Sequence, residues 1–330
     1  MTRFKALQVR EAAAGGFDTQ LVDRDLAELP PGEVLIRVRY SSLNYKDALS
    51  ATGNRGVTRQ YPHTPGIDAA GVVESSSAPE FAAGDEVIVT GYDLGMNTPG
   101  GFAQYIRVPA AWVIKRPSGL SLREAMLLGT AGLTAALCVE KLEHAGLEPG
   151  SGPVLVTGAS GGVGSVAVAL LASLGYEVVA ATGKPEQAIL LEELGARRVI
   201  PRAELLQGGD KPLLKEQWVG AVDTVGGEIL FNVIKALRHG ASVACCGLTA
   251  GVQFQASVLP FILRGVNLLG VDSVELPLMV KASMWDKLSV QWKIGNLDRL
   301  AHEIDLAALP EEIGRMLAGR QVGRALVRVD

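Results

Sequence analysis

The residues from Val154 to Leu174 carry chemistry that can be read from type and spacing alone. Val154, Leu155 and Val156 read as a buried strand. The loop Thr157-Gly158-Ala159-Ser160-Gly161-Gly162-Val163-Gly164 follows, and an apolar helix begins behind it. A dinucleotide needs that order. Glycines let the backbone approach a pyrophosphate, and a helix start aims its unpaired N–H groups at the anion. Ser160, Gly161, Gly162, Val163 and Gly164 are therefore the expected pyrophosphate contacts. The strand before and the helix after supply the context that a bare glycine pattern lacks.

The next strand, Tyr176 to Ala181, runs into Thr182-Gly183-Lys184. A site for NAD usually places an Asp or Glu about 20 residues past the glycines, to hold the ribose hydroxyls. This turn has no acid. Thr182 offers a hydroxyl, Gly183 opens the turn and Lys184 brings a positive charge, a set that suits a 2′-phosphate and so NADP(H). Arg202, after a third strand at Arg198 to Ile200, is a second phosphate or adenine contact. The alternative is that Lys184 simply begins a solvated helix, since lysines are mostly exposed.

Around this loop the chain alternates strand and helix. Strands are expected at 153–157, 177–181, 198–200, 219–224, 241–246 and 266–272, which implies a parallel, doubly wound sheet. Residues 1 to 119 look different. Alternating Val34, Ile36 and Val38, then Gly71 to Val73, Glu86 to Thr90 and Gln104 to Val108, are separated by Pro- and Gly-rich turns, as in a small β-barrel-like domain. Helical pieces at Leu278 to Leu288 and Pro310 to Ala318 and a last strand, Ala325 to Val329, read as a tail returning to that domain. The expected domains are 1–119 with 276–330, and 120–275.

Composition narrows the partners. The 330 residues are 48% hydrophobic and 20% charged, enough for a sizeable core. A net charge of −4 leaves no basic footprint for nucleic acid. The first residues lack the apolar run of a signal peptide. The uncharged stretch between Glu148 and Glu177 is interrupted by glycines and serines, so no membrane span is expected there. Three cysteines fit a reducing, cytoplasmic setting, and adjacent Cys245 and Cys246 read as core residues of a strand.

Several long strings resemble one family: SSLNYKDAL, PGIDAAG, GTAGLTA, TGASGGVG, DTVGG, CCGL and PFILRGVNLLGVDS. They are similar to the zinc-independent, quinone-oxidoreductase-like members of the medium-chain dehydrogenase/reductase superfamily, of the acryloyl-CoA reductase type. The resemblance covers essentially the whole chain. It implies an α/β protein with a GroES-like β-barrel domain and a Rossmann doubly wound parallel sheet, commonly as a homodimer joined through the edge strand near Val266 to Asp272. In the zinc-dependent members a Cys stands where Asn44 is and Gly-His-Glu stands where Gly66-Ile67-Asp68 is. No Cys precedes Ala136 here, so the cysteine lobe of a structural zinc is missing too, and no metal is expected. The chain departs from the classical quinone oxidoreductases at Ala169, where they usually carry Gln.

The lost ligands bear on the reaction. Reducing a plain ketone makes a strongly basic alkoxide, which metal enzymes stabilise with a Lewis acid. Adding hydride to a double bond conjugated to a carbonyl makes a delocalised enolate, for which hydrogen-bond donors suffice. The resemblance therefore points to NADPH-dependent reduction of acryloyl-CoA or a similar short acyl-CoA, with quinone reduction or low-turnover cofactor binding as alternatives. Tyr45 and Asn44 are the candidate catalytic residues, and Tyr45 reads either as proton donor or as a residue lining the cofactor. By resemblance Leu248, Ile262 and Ser273 line the nicotinamide half. Arg324 resembles the family's C-terminal cofactor contact or is a surface arginine. Asp68 reads as a buried structural carboxylate, and Thr130 and Thr134 as the start of a helix.

Overall fold

The computed structural model describes residues 2–329. The chain divides into two compact units, one running up to Thr130 with Val274–Val290 and the segment from Asn296 onward, the other holding Ala131–Ser273 and Gln291–Gly295. The first boundary falls after the position expected from composition, because Thr130 is hydrogen-bonded to Asp68 of the first unit.

The first unit opens with a hairpin, β1 (Arg3–Glu11) and β2 (Phe17–Asp25), which the sequence pattern did not announce. Strand β3 (Val34–Leu43) leads into the short helix α1 (Tyr45–Ala51), followed by β4 (Asp68–Ser76), β5 (Glu86–Thr90), β6 (Tyr105–Val108) and β7 (Val113–Lys115). Strand side chains alternate between faces. On β3 this sends Val34, Ile36 and Val38 into the main core with Val87, Val89, Ile106 and Val108, while Leu35 meets Phe4, Ala6 and Ala103. The hairpin strand β1 thus covers the other face of β3, which is why a strand that reads as alternating is buried on both sides.

Helix α2 (Leu122–His144) carries the chain into the second unit. It is long and apolar enough by composition to cross a membrane, yet 83% of its apolar window is buried inside the protein. Gly129 also interrupts it with φ 52° and ψ −155°, so it is two helical runs rather than one span.

The second unit follows strand and helix in turn: β8 (Pro153–Thr157), α3 (Gly162–Ser173), β9 (Glu177–Thr182), α4 (Ala188–Glu193), β10 (Arg198–Pro201), β11 (Trp218–Asp223), α5 (Gly227–Ala236), β12 (Leu237–Cys245), α6 (Leu259–Arg264) and β13 (Asn267–Gly270). All pairings in this sheet are parallel, in the order β10-β9-β8-β11-β12-β13. The expected strand at 241–246 begins earlier, at Leu237, because α5 runs straight into it and Trp218 pairs with Leu237. The strand expected at 266–272 is shorter.

The tail is α7 (Leu278–Ser289), β14 (Ala301–Asp305), α8 (Leu309–Leu317) and β15 (Arg324–Arg328). Strand β15 pairs antiparallel with β3, setting Ala325 against Leu43 and extending the first unit's sheet, with β14 parallel on its outer side.

Candidate functional site

The order of the strands in the second unit's sheet reverses between β8 and β11, with β9 and β10 added on one side of β8 and β11 to β13 on the other. Ligands of doubly wound sheets bind beyond the carboxyl ends of the strands at that switch. Both ends are tied here. Thr157 Oγ1 donates to Asp223 Oδ1 at 2.7 Å, Thr224 Oγ1 donates to the Thr157 carbonyl at 2.8 Å, and Gly226 N donates to Asp223 Oδ2 at 2.8 Å. Burial raises the Asp223 carboxyl above its ordinary range, and these hydrogen bonds oppose the shift. Gly158 leaves β8 with φ 59°, and a side chain there would strike Thr224 Oγ1. The strings TGASGGVG and DTVGG thus form one edge, although the sequence alone gave Asp223 and Thr224 no role. Cys245, at the end of β12, lies against Asp223. Burial and that carboxylate push its thiol up to about 11, so it stays protonated.

Gly161 caps α3 in an extended conformation, with Gly162, Val163 and Gly164 forming the first turn. The first amides of a helix have no partner within it. Gly164 packs against the carbonyl of Gly158 so closely that a Cβ would overlap it. This backbone cradle fits a pyrophosphate.

At the end of β9, Ser160 Oγ and Thr182 Oγ1 share a hydrogen bond of 2.8 Å, and Thr182 Oγ1 also accepts from Lys184 N at 3.0 Å. Thr182 is buried, so its hydroxyl shapes the turn and joins it to the glycine loop. Gly183 is exposed, and a Cβ on it would lie 3.1 Å from Arg202 Cζ. The turn and Arg202 are therefore together, as the sequence reading expected. Partial burial lowers the Lys184 ammonium below its ordinary value.

Leu248 and Ile262 are 51% and 69% exposed, whereas Ser273 is buried and accepts a hydrogen bond from Thr134 Oγ1 at 2.8 Å. Thr130 begins the second run of α2, directly after the break at Gly129, and Thr134 lies about one turn further on.

The first unit contains a polar cluster centred on Asp68, which is fully buried. Asp68 Oδ2 accepts from Ser42 Oγ at 2.6 Å, Asn44 Nδ2 at 2.8 Å and Thr130 N at 2.9 Å. Its Oδ1 accepts from Thr130 Oγ1 at 2.6 Å. The carboxylate thus satisfies the amide of the first residue after the break in α2. Gly129 makes this approach possible. A Cβ there would sit 2.5 Å from Asp68 Oδ2, 2.5 Å from Ser42 Oγ and 2.9 Å from Arg324 Nη2, and its φ of 52° favours glycine.

Arg324 corrects one alternative of the sequence reading. It is not a surface arginine, being 2% exposed at the head of β15. Nε donates to the Leu127 carbonyl at 3.2 Å, and Nη1 donates to the Leu43 carbonyl and to Asn44 Oδ1, both at 3.1 Å. Nη2 lies 3.9 Å from Asp68 Oδ2 and makes no hydrogen bond. Asn44 is correspondingly saturated. Its two Nδ2 hydrogens go to Asp68 and to the Ser42 carbonyl, and its Oδ1 is taken by Arg324.

Asp47 closes the corner. Its carboxylate accepts from the backbone N–H of Asn44 at 2.8 Å, of Gly66 at 3.1 Å and of Ile67 at 2.8 Å. Burial and the neighbouring Asp68 push its carboxyl up to about 7 against those three donors. Tyr45, the first residue of α1, is 39% exposed, and its hydroxyl makes no hydrogen bond among the described residues.

Zinc does not fit the positions that the resemblance marks for it. Asn44 presents an amide already bonded on every side, Ile67 is aliphatic, and Asp68 faces a guanidinium. Zinc takes thiolate, imidazole and carboxylate ligands. Among the described residues no group of three or more His, Cys, Asp or Glu could hold a metal ion.

Comparisons with known proteins agree with both units. Residues 30–118 match the alcohol dehydrogenase GroES-like domain, and residues 162–289 match the zinc-binding dehydrogenase family. Acrylyl-CoA reductase AcuI of Ruegeria pomeroyi is 45% identical over 328 residues, 99% of each chain. YhfP of Bacillus subtilis, which carries a quinone-oxidoreductase name, is 46% identical over 329 residues, again 99% of each. Its crystal structure with NAD bound has a TM-score of 0.96, covering 99% of this chain and 100% of that one. The yhdH oxidoreductase of Salmonella enterica, crystallised with NADP, has a TM-score of 0.95 at 43% identity, with 99% and 100% covered.

Proposed function

Because the chain belongs to the quinone-oxidoreductase-like branch of the medium-chain dehydrogenase/reductase family, we propose that this oxidoreductase reduces the carbon–carbon double bond of a short α,β-unsaturated acyl-CoA. The reaction is acryloyl-CoA with NADPH and a proton giving propanoyl-CoA and NADP⁺. The observation that carries the reading is the closed donor set at Asn44, Ile67 and Asp68. With an amide, an alkyl group and a guanidinium-facing carboxylate there, the protein's own residues favour a product anion that needs no Lewis acid. An enolate of a thioester is such an anion. The 45% identity to an acrylyl-CoA reductase along the whole chain supports the same substrate class.

NADPH, when bound, supplies hydride to the β-carbon. Backbone amides at Gly162 to Gly164 hold its pyrophosphate, with Ser160 orienting the turn through Thr182. Lys184 and Arg202 hold the 2′-phosphate. Solved relatives carry NADP, NADPH or NAD, so the preference here is drawn from those two cations beside Gly183. A phosphate dianion would also restore the proton affinity that burial takes from Lys184. Leu248, Ile262 and Ser273 serve the nicotinamide half, and Tyr45 gives its proton to the enolate. A second copy of the chain covers the end strand β13, where Leu268 is 39% exposed; Leu263, on the preceding helix α6, is 58% exposed. An open apolar edge of this kind is otherwise a liability.

Purified protein mixed with NADPH and either acryloyl-CoA or a benzoquinone, followed at the absorbance of the reduced cofactor, tests the reading. Acryloyl-CoA should drain NADPH, and Tyr45→Phe should slow it by roughly 10²-fold or more, the usual worth of a positioned acid. Quinone-only turnover would favour the reading suggested by the name of YhfP. A monomer by sedimentation would remove the role given to β13.

A further inference from the structure

We propose that Arg324 is a positioning residue for Tyr45, acting through Asn44 from the first unit's interior; the inference rests on the reading of Tyr45 as proton donor. Four observations converge on Asn44. Its Oδ1 is held by Arg324 Nη1, its Nδ2 by Asp68 and by the Ser42 carbonyl, and its backbone N–H by Asp47. Arg324 also grips the Leu43 carbonyl, one residue earlier. The backbone from Leu43 to Asn44 is thus clamped on both sides immediately before Tyr45, while the Tyr45 side chain is half exposed and its hydroxyl unengaged.

The cluster fixes the origin of a side chain that it never touches. The Tyr45 hydroxyl makes no hydrogen bond among the described residues, while the backbone just before it is held by Arg324 and Asp47. Arginine suits this task because its planar fork donates in several fixed directions at once. Here three directions end on Leu127, Leu43 and Asn44, so one buried cation joins β15, the end of β3 and the first run of α2. Lysine would keep the charge and lose the fork.

The test replaces tyrosines with 3-fluorotyrosine and reads the fluorine NMR spectrum, in which Tyr45→Phe identifies the Tyr45 resonance. Arg324→Gln should shift, broaden or split that resonance, while Tyr176, in the other unit, stays in place as a control for folding. An unmoved Tyr45 resonance overturns the proposal whether or not acryloyl-CoA is a substrate. Kinetics then read the consequence. A displacement near 1 Å costs about 10²-fold in turnover, so Arg324→Gln should lower kcat by roughly tenfold or more, with Arg324→Lys recovering part. KM for NADPH should stay within about threefold, whereas a direct cofactor contact would raise it. In a Tyr45→Phe background Arg324→Gln should change kcat by less than about twofold, because residues that act through one another are not additive. Full additivity overturns the coupling. If Tyr45→Phe alone leaves kcat unchanged, the proton-donor reading fails and the fluorine spectrum alone decides the positioning. Where Arg324→Gln does not fold, Asn44→Ser carries the same measurements, since serine is well tolerated at the head of a helix but gives Arg324 no amide oxygen.

Discussion

Around Asp68, both carboxylate oxygens, both Asn44 amide hydrogens and three of the Arg324 donor directions end on other atoms of the protein, with Asp68, Asn44 and Arg324 all buried. Around Gly183 the arrangement is the reverse. Arg202 is exposed, makes no hydrogen bond among the described residues, and lies across a glycine that offers it no side chain. The first region is a finished electrostatic object whose geometry does not wait for a ligand. The second is half of one, and an anion would complete it. A protein that must hold a reacting group still, and yet exchange its cofactor every turnover, needs one of each.

The sharpest way to break that contrast is to open the closed side. Asp68→Ala leaves Arg324, Thr130, Ser42 and Asn44 facing an absent partner. Removing one member of a buried pair costs about 3–5 kcal/mol, and urea denaturation should show a loss of that size. Asp68→Asn, which keeps the shape and one acceptor, should lose less. A loss below about 1 kcal/mol for Asp68→Ala would mean that the cluster is not a stabilising network.

Opening the other side should do the opposite. Arg202→Ala removes an exposed cation, and surface changes of this kind sit within about 0.5 kcal/mol; Lys184→Ala, at a half-buried residue, should still cost far less than opening the Asp68 cluster. Their effect should fall on the ligand. A charge-assisted hydrogen bond to phosphate is worth about 1.5–3 kcal/mol, so either change should weaken NADPH by about tenfold or more and leave NADH nearly unchanged. Titration of both cofactors against both variants measures this, and equal losses for the two cofactors would refute the phosphate role.

The two regions also differ in how far they could be read from residues alone. The open one is local. Its glycines, Thr182, Lys184 and Arg202 sit at the ends of consecutive strands, so spacing along the chain predicts their meeting. The closed one is assembled from four separated places: Ser42 with Asn44, then Asp68, Thr130 and Arg324. No periodicity brings residue 324 against residue 44. That contact exists because β15 pairs with β3, a return of the tail that the sequence suggested only in outline. Gly129-Thr130 stood in a recognisable string, but the reason for a glycine there, the close approach of Asp68, is a tertiary fact. The hairpin β1–β2 escaped for a related reason, since its outer strand is polar and its inner strand reads as a buried element only once β3 lies beneath it.

A smaller effect tests whether the closed style extends beyond Asp68. His63 is buried, its ring edge-on to Tyr61, with Nε2 unbonded. Burial lowers its pKa, opposed by a hydrogen bond with the Gly95 backbone and by Asp93, with Arg24 acting in the same sense as burial. The unfolded imidazole titrates near 6.5. Below that pH the unfolded chain binds the proton more readily than the folded one, so His63 drains stability as pH falls from about 6.5 toward its lower folded value, and contributes no slope above 6.5. One such group gives at most about 1.4 kcal/mol per pH unit. Asp47 works with the opposite sign. Its folded value of about 7 lies above that of an unfolded carboxyl, so its contribution is present at low pH and fades as pH rises toward 7. Below about pH 6.5 the two slopes have opposite signs and partly cancel. The difference between the protein and His63→Phe isolates the histidine. Stability measured at pH 7.5 and 5.5 should fall more on acidification in the protein than in the variant. Parallel profiles would show that the imidazole is protonated in place, with water or a carboxylate reaching it, and the closed style would then be confined to the corner that precedes Tyr45.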